Sequence, residues 1–124
     1  MTKTVLIADD EPNILISLEY LMKREGYRVL LAHDGQEACD LIASEHPDMV
    51  LLDVMMPKKT GFEVCHAIRA DETFKAMPIL LLTAKGRDTD VAKGLAMGAN
   101  DYMIKPFSTK ELAQKVRELL ESAA

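Results

Sequence analysis

Five side chains able to act on a charged substrate stand directly after apolar runs. Asp9 and Asp10 follow Val5-Leu6-Ile7-Ala8, Asp53 follows Met49-Val50-Leu51-Leu52, Thr83 follows Ile79-Leu80-Leu81-Leu82, and Lys105 follows the mixed segment Asp101 to Ile104. Singly, an Asp or Thr in such a place caps the next helix. Recurrence of reactive groups at four of five strand ends points instead to one shared rim. Three carboxylates crowded there repel one another, and the site relieves the repulsion by taking up protons or a cation. An all-oxygen acidic site with room for water suits Mg²⁺, and the same donors serve Mn²⁺. With a hydroxyl and an ammonium opposite, the arrangement is laid out for a phosphoryl group. The metal and Lys105 would offset charge on its oxygens, Thr83 would hydrogen-bond one of them, and a carboxylate would attack phosphorus. No His or Ser is placed to compete as nucleophile.

The runs that carry these groups do not alternate with polar residues, as expected of strands covered on both faces by helices. Three central strands follow, and the more mixed segments Arg28 to Ala32 and Asp101 to Ile104 suit the sheet edges, making five strands. Helical periodicity lies between them. Ile14, Leu15, Leu18, Leu21 and Met22 form one stripe, with Pro12 suited to the first turn and Gly26 to the end. Asp34 with Glu37, Thr60 with Glu63 and Ser108 with Glu111 have capping-box spacing and start three more helices. A helix from about Asp88 to Met97, with Gly94 inside it and Gly98 as its stop, is expected to be the least stable of the five. Alternating β and α with buried parallel strands gives an α/β fold, a single doubly wound sheet of order 2-1-3-4-5. In that order Asp9, Asp10 and Asp53 meet at the topological switch point, outside the carboxyl ends of neighbouring strands.

At 124 residues the chain has room for one domain, expected to run over 1–124, and its 48% hydrophobic and 28% charged content is that of a globular one. Fifteen Lys and Arg against 20 Asp and Glu give a net charge of -5, which excludes a basic surface for a nucleic-acid backbone. The longest apolar runs fall far short of the ~20 residues that cross a bilayer, and the first residues have no signal-peptide layout, so no membrane association and a cytoplasmic location are expected. Cys39 and Cys65 sit in helical patterns among apolar residues and read as buried thiols. His33, His46 and His66 lack metal-ligand spacing, and Met22, Met49 and Met103 fall on core patterns. Lys58 and Lys59 are expected in a solvated loop beside the acidic site.

The segments Asp9-Asp10-Glu11-Pro12, Asp53-Val54-Met55-Met56-Pro57 followed by Gly61, Thr83-Ala84 and Lys105-Pro106-Phe107 together resemble the receiver domain of bacterial two-component response regulators, in order and over essentially the whole chain. The resemblance implies a flavodoxin-like (βα)5 fold and a phosphorylation-controlled switch. Asp53 would accept a phosphoryl group from a phosphohistidine on a sensor histidine kinase or phosphotransfer protein. Asp10, Asp53 and the Met55 carbonyl would bind Mg²⁺, with Asp9 helping through water. Thr83 and Lys105 would contact the phosphoryl oxygens, and the Lys105-Pro106 bond would be cis. Tyr102 would be the switch aromatic, turning inward as Thr83 moves and reshaping the face of helix four, strand five and helix five, with the Gly94 helix as the bistable element. Met55 and Lys85 would flank the path of attacking water, and a thioether and an ammonium there imply slow self-dephosphorylation.

Competing readings differ at named residues. A receiver that no longer takes phosphate would lack the acidic set, Thr83 or Lys105. An aspartyl-phosphate phosphatase would carry a second Asp where Met55 stands, so the protein is not expected to be an enzyme on other substrates. A flavin-binding relative would need a Ser-, Thr- or Gly-rich loop in place of Asp9-Asp10-Glu11-Pro12. Ser122, Ala123 and Ala124 end the chain, which fits a stand-alone receiver or one excised from a longer regulator. For a phosphorylation-dependent homodimer through the helix-four face, Asp101, Glu111, Lys93 and Lys115 suit the charge pattern, whereas Val91 and Asn100 depart from it.

Overall fold

The apolar runs pair into a parallel sheet of order β2-β1-β3-β4-β5, comprising β1 (Thr4–Ala8), β2 (Arg28–Ala32), β3 (Met49–Asp53), β4 (Ile79–Ala84) and β5 (Asp101–Lys105). The computed structural model describes residues 2–84 and 87–122. β1 and β3 are buried along their whole length, whereas β2 and β5 are the half-buried edges, as their mixed composition predicts. Five helices cover the sheet: α1 (Pro12–Arg24), α2 (Gly35–Glu45), α3 (Gly61–Ala70), α4 (Asp88–Ala96) and α5 (Thr109–Ser122). The result is the flavodoxin-like α/β fold.

Strand residues alternate between two cores because successive side chains leave opposite faces of a pleated strand. Val5, Ile7, Met49, Leu51, Leu80 and Leu82 meet Leu15, Leu18 and Met22 of α1 and Leu112, Val116 and Leu120 of α5. Leu6, Val50, Leu52, Ile79 and Leu81 face the other way, onto Ile42 of α2 and Phe62, Val64, Cys65 and Ile68 of α3. Each fully buried leucine contributes about 1.5–3 kcal/mol by leaving water, so the sheet is a stiff platform for whatever its rim carries.

Several expectations are refined. Asp53, Thr83 and Lys105 lie inside the strands rather than after them, because the parallel ladder runs on through Asp53↔Leu82, Thr83↔Ile104 and Ala84↔Lys105. The full capping box is present at α3, between Thr60 and Glu63. At α2 it is half made: Asp34 accepts from the Glu37 N–H, but the Glu37 carboxylate is taken by the His33 N–H at 2.8 Å. At α5, Ser108 Oγ accepts from the Glu111 N–H at 3.3 Å. Cys65 is buried but Cys39 is only half-buried. Gly94 is more than a weak point in α4: it is that helix's one buried residue, and a Cβ there would fall well inside contact distance of Leu81 Cδ1. Among the described residues no helix is long and apolar enough to cross a membrane.

Candidate functional site

At the carboxyl end of the sheet, Asp9 and Asp10 leave β1 while Asp53 closes β3, its immediate neighbour. One carboxylate oxygen from each of the three lies within 4.8 Å of the others. Asp9 is fully buried and Asp53 nearly so, while Asp10 is exposed. Asp9 is fixed by accepting a hydrogen bond from the Glu11 N–H at 2.9 Å. The α3 start is drawn against the end of β3, where the Gly61 N–H donates to the Val54 carbonyl at 2.9 Å. A Cβ at residue 61 would lie 2.5 Å from the Asp53 carbonyl oxygen, so this approach requires glycine.

Alternation along the strands decides which groups meet. Lys105 follows Met103 on the face that looks toward α1 and α5, and so does Asp53 after Leu51. The Lys105 ammonium reaches Asp9 Oδ2 at 2.9 Å, Asp53 Oδ1 at 3.4 Å and Glu11 Oε1 at 3.4 Å. Burial works against its charge, but the Asp9 hydrogen bond and the Asp53, Asp9 and Glu11 charges outweigh burial and hold Lys105 above the usual lysine range. Asp53 is shifted the same way, with the opposite effect on its charge. Burial and then the Asp9 charge push its carboxyl up to about 7, with Lys105 opposing and Asp10 adding to the rise.

Thr83 is buried, and its Oγ1 has no hydrogen-bond partner among the described residues. An orphaned buried hydroxyl is costly unless a ligand supplies an oxygen to it. Thr83 lines a cleft of about 270 Å³ together with Asp10, Asp53, Met55, Arg87 and Lys105. Met55 is 55% exposed, with its sulfur 3.8 Å from Arg87 Nη2. Tyr102 is half-buried against the α2 and α3 core and registers with Leu81, two pairs along the ladder from Thr83↔Ile104 and so on the same face. Lys105-Pro106 is cis, as the resemblance implied. Lys85 lies outside the described residues.

The sequence reading thus names Asp9, Asp10, Asp53, Met55, Thr83 and Lys105, and the structure brings all six to one rim. Lys58 is engaged elsewhere, 3.5 Å from Asp34 Oδ2. Two participants were missed: Glu11 as a partner of Lys105, and Arg87, which pairs with Asp90. The signal for Arg87 was an Arg and an Asp three apart at the start of the α4 pattern, just after Thr83.

The chain belongs to the response regulator receiver domain family, whose model matches residues 5–117. A solved chain described as a response regulator from Chloroflexus aurantiacus is 36% identical, with a TM-score of 0.94 over 98% of this chain and 99% of that one. A chemotaxis response regulator of Vibrio cholerae is 32% identical, with a TM-score of 0.90 over 96% and 99% of the two chains. The receiver domain of a sensor histidine kinase from Pseudomonas aeruginosa, solved with a magnesium ion coordinated in its active-site cleft, is 30% identical, with a TM-score of 0.90 over 98% and 99%. The protein is therefore a receiver domain of phosphorylation-controlled two-component signalling rather than a metabolic enzyme. Domains of this family bind Mg²⁺ at an acidic pocket and work with histidine kinases or phosphotransfer proteins.

Proposed function

We propose that this domain, comprising residues 1–124, stores a signal as a phosphoryl group on Asp53. In the transfer, the N–P bond of a kinase or phosphotransfer phosphohistidine breaks and an Asp53 Oδ–P bond forms. The imidazole leaves with the electron pair of the broken bond. The observation that carries this reading is that Thr83, whose buried hydroxyl has no hydrogen-bond partner among the described residues, lines the same cleft as Asp53 and Lys105. A phosphoryl oxygen satisfies that hydroxyl, and Lys105 neutralises a second.

The three clustered carboxylates fit a hard divalent cation: they offer only oxygen and crowd like charges that a cation relieves. Asp10, Asp53 and the Met55 carbonyl would hold Mg²⁺, or Mn²⁺, with Asp9 acting through water. The bound ion would offset charge on the transferring phosphoryl oxygens. Asp9 also orients Lys105, to which it is bonded at 2.9 Å. Once Thr83 engages the phosphoryl group, the space on the α4 side of β4 and β5 changes. Tyr102 responds there, altering the face of α4, β5 and α5 and with it the choice of partner, including a second copy of the chain. The domain makes no nucleic-acid or membrane contact of its own and acts in the cytoplasm.

Incubation with acetyl phosphate and Mg²⁺, read by intact mass, is expected to show one added phosphoryl group in the wild type and none in Asp53→Ala. The same added mass in Asp53→Ala would remove Asp53 from the role.

A further inference from the structure

Arg87 is the α4 N-cap residue, and its guanidinium has an unusual pair of partners for a group on the rim of an anion-receiving cleft. Its Nε is bonded to Asp90 in the first turn of α4, and its Nη2 points at the Met55 thioether at 3.8 Å. The thioether is a weak acceptor, so this N–H is underused. Arg87 and Met55 both line the cleft that holds Asp53, Thr83 and Lys105.

Charge balance shows what would recruit it. A phosphoryl group on Asp53 brings roughly two negative charges into a cleft already edged by Asp9, Asp10 and Glu11. Lys105 and one divalent ion leave a negative excess. A guanidinium bonds phosphoryl oxygens through charge-assisted, often paired, N–H donors that a thioether cannot rival. We propose that Arg87 is a second cationic ligand of the phosphoryl group, leaving Met55 to close over phosphorylated Asp53. This rests on the reading of Asp53 as the phosphoacceptor. Because Arg87 immediately precedes Asp88, the first residue of α4, its movement pulls the start of that helix toward the site. It supplies a link from phosphoryl group to α4 that does not pass through Tyr102. Asp90 is the competing partner, so the strength of the Arg87–Asp90 pair sets how readily the guanidinium is released.

The test titrates the protein with beryllofluoride, a tetrahedral phosphoryl mimic, in excess Mg²⁺, and follows the bound species by fluorine NMR. Arg87→Ala is expected to weaken apparent affinity about tenfold, the scale of one lost charge-assisted contact, and Arg87→Lys to recover part of the loss. Asp90→Asn, which frees the guanidinium, is expected to tighten binding. Asp88→Asn removes the same charge from the same turn without freeing Arg87 and is expected to leave affinity unchanged. Wild-type affinity in Arg87→Ala, no recovery in Arg87→Lys, or equal effects of Asp90→Asn and Asp88→Asn would overturn the assignment. No bound mimic in the wild type, or equal binding by Asp53→Asn, would instead overturn the Asp53 reading beneath it.

Discussion

As the proposed phosphoacceptor, Asp53 faces two demands that conflict: it must be sheltered enough to hold a reactive acyl phosphate, yet charged enough to attack. Its carboxyl, pushed up to about 7 by burial and the Asp9 charge, shows the conflict in the metal-free protein. The folded state then holds a proton that the unfolded chain releases near the ordinary carboxylate range. The group therefore contributes stability that is complete at low pH and lost as pH rises to about 7. In EDTA, melts of wild type and Asp53→Asn are expected to diverge as pH rises from about 4, the variant gaining relative stability until the difference levels off above about pH 7. Parallel pH profiles would show that Asp53 ionises freely. In the same proposal, Met55 bears on the other end of the signal's life. Its exposed thioether sits over the cleft as a poor water acceptor. Met55→Asn is expected to speed loss of the phosphoryl group ~10-fold, only ~1.4 kcal/mol of barrier, measured by decay of the phosphorylated mass.

At the scale of elements, α4 differs from its neighbours. α3 buries five residues and α5 four, but α4 buries Gly94 alone. Helix propensity predicts that Gly94→Ala stabilises by ~1 kcal/mol. The packing predicts the reverse, because the added methyl is driven into Leu81 at the centre of β4, and overpacking costs about 1–3 kcal/mol. Gly94→Ala is therefore expected to lower stability by ~1 kcal/mol in urea melts; a stabilised variant would mean that α4 rides clear of the sheet. The far end of α4 is held more firmly. The Arg69 guanidinium donates to the carbonyls of Gly98, Met77 and Lys75 and to Asn100 Oδ1 at 2.7–3.1 Å, and Asn100 also accepts from the Ile79 N–H at 2.8 Å. α4 is thus tied at its C-terminal end and lightly packed along its length, and the proposed Arg87 link would act on its start. Asn100, which departed from the dimer charge pattern, has this local task, and Lys115 and Asp101 of that pattern pair within the chain at 2.8 Å.

Across the whole molecule, what was legible in the sequence followed one rule: unbroken apolar runs mark buried parallel strands, and the polar residues that end them mark the rim. Sheet order follows once the helices that alternate with those strands are added, and the assembly of Asp9, Asp10, Asp53, Thr83 and Lys105 follows from the two together. What was hidden depends on contacts between residues far apart in sequence. Patterning cannot show that Gly94 touches Leu81, that Arg69 staples the turn before β5, or that Arg87 lies across Met55. Nor can it show that Asp53 and Thr83 are held by ladder bonds rather than by loops.

The acidic rim is also expected to couple the site to global stability, because three carboxylates with one oxygen each within 4.8 Å, two of them paired with Lys105, crowd like charge that a divalent cation would relieve further. A metal that binds only the folded chain stabilises it by ~2.7 kcal/mol when free ion is about a hundred times its dissociation constant. For a chain of 124 residues this corresponds to a rise of roughly 8–15 °C in melting temperature. Asp10 is the exposed member and the one with least to do in the metal-free fold. Asp10→Asn is therefore expected to melt close to wild type in EDTA and to lose most of the rise that Mg²⁺ produces. A full Mg²⁺ response in Asp10→Asn would take Asp10 out of the metal site and leave Asp9 and Asp53 as its carboxylates. An equal response to Ca²⁺ in the wild type would mean that the rim gathers divalent charge without the compact oxygen geometry Mg²⁺ demands.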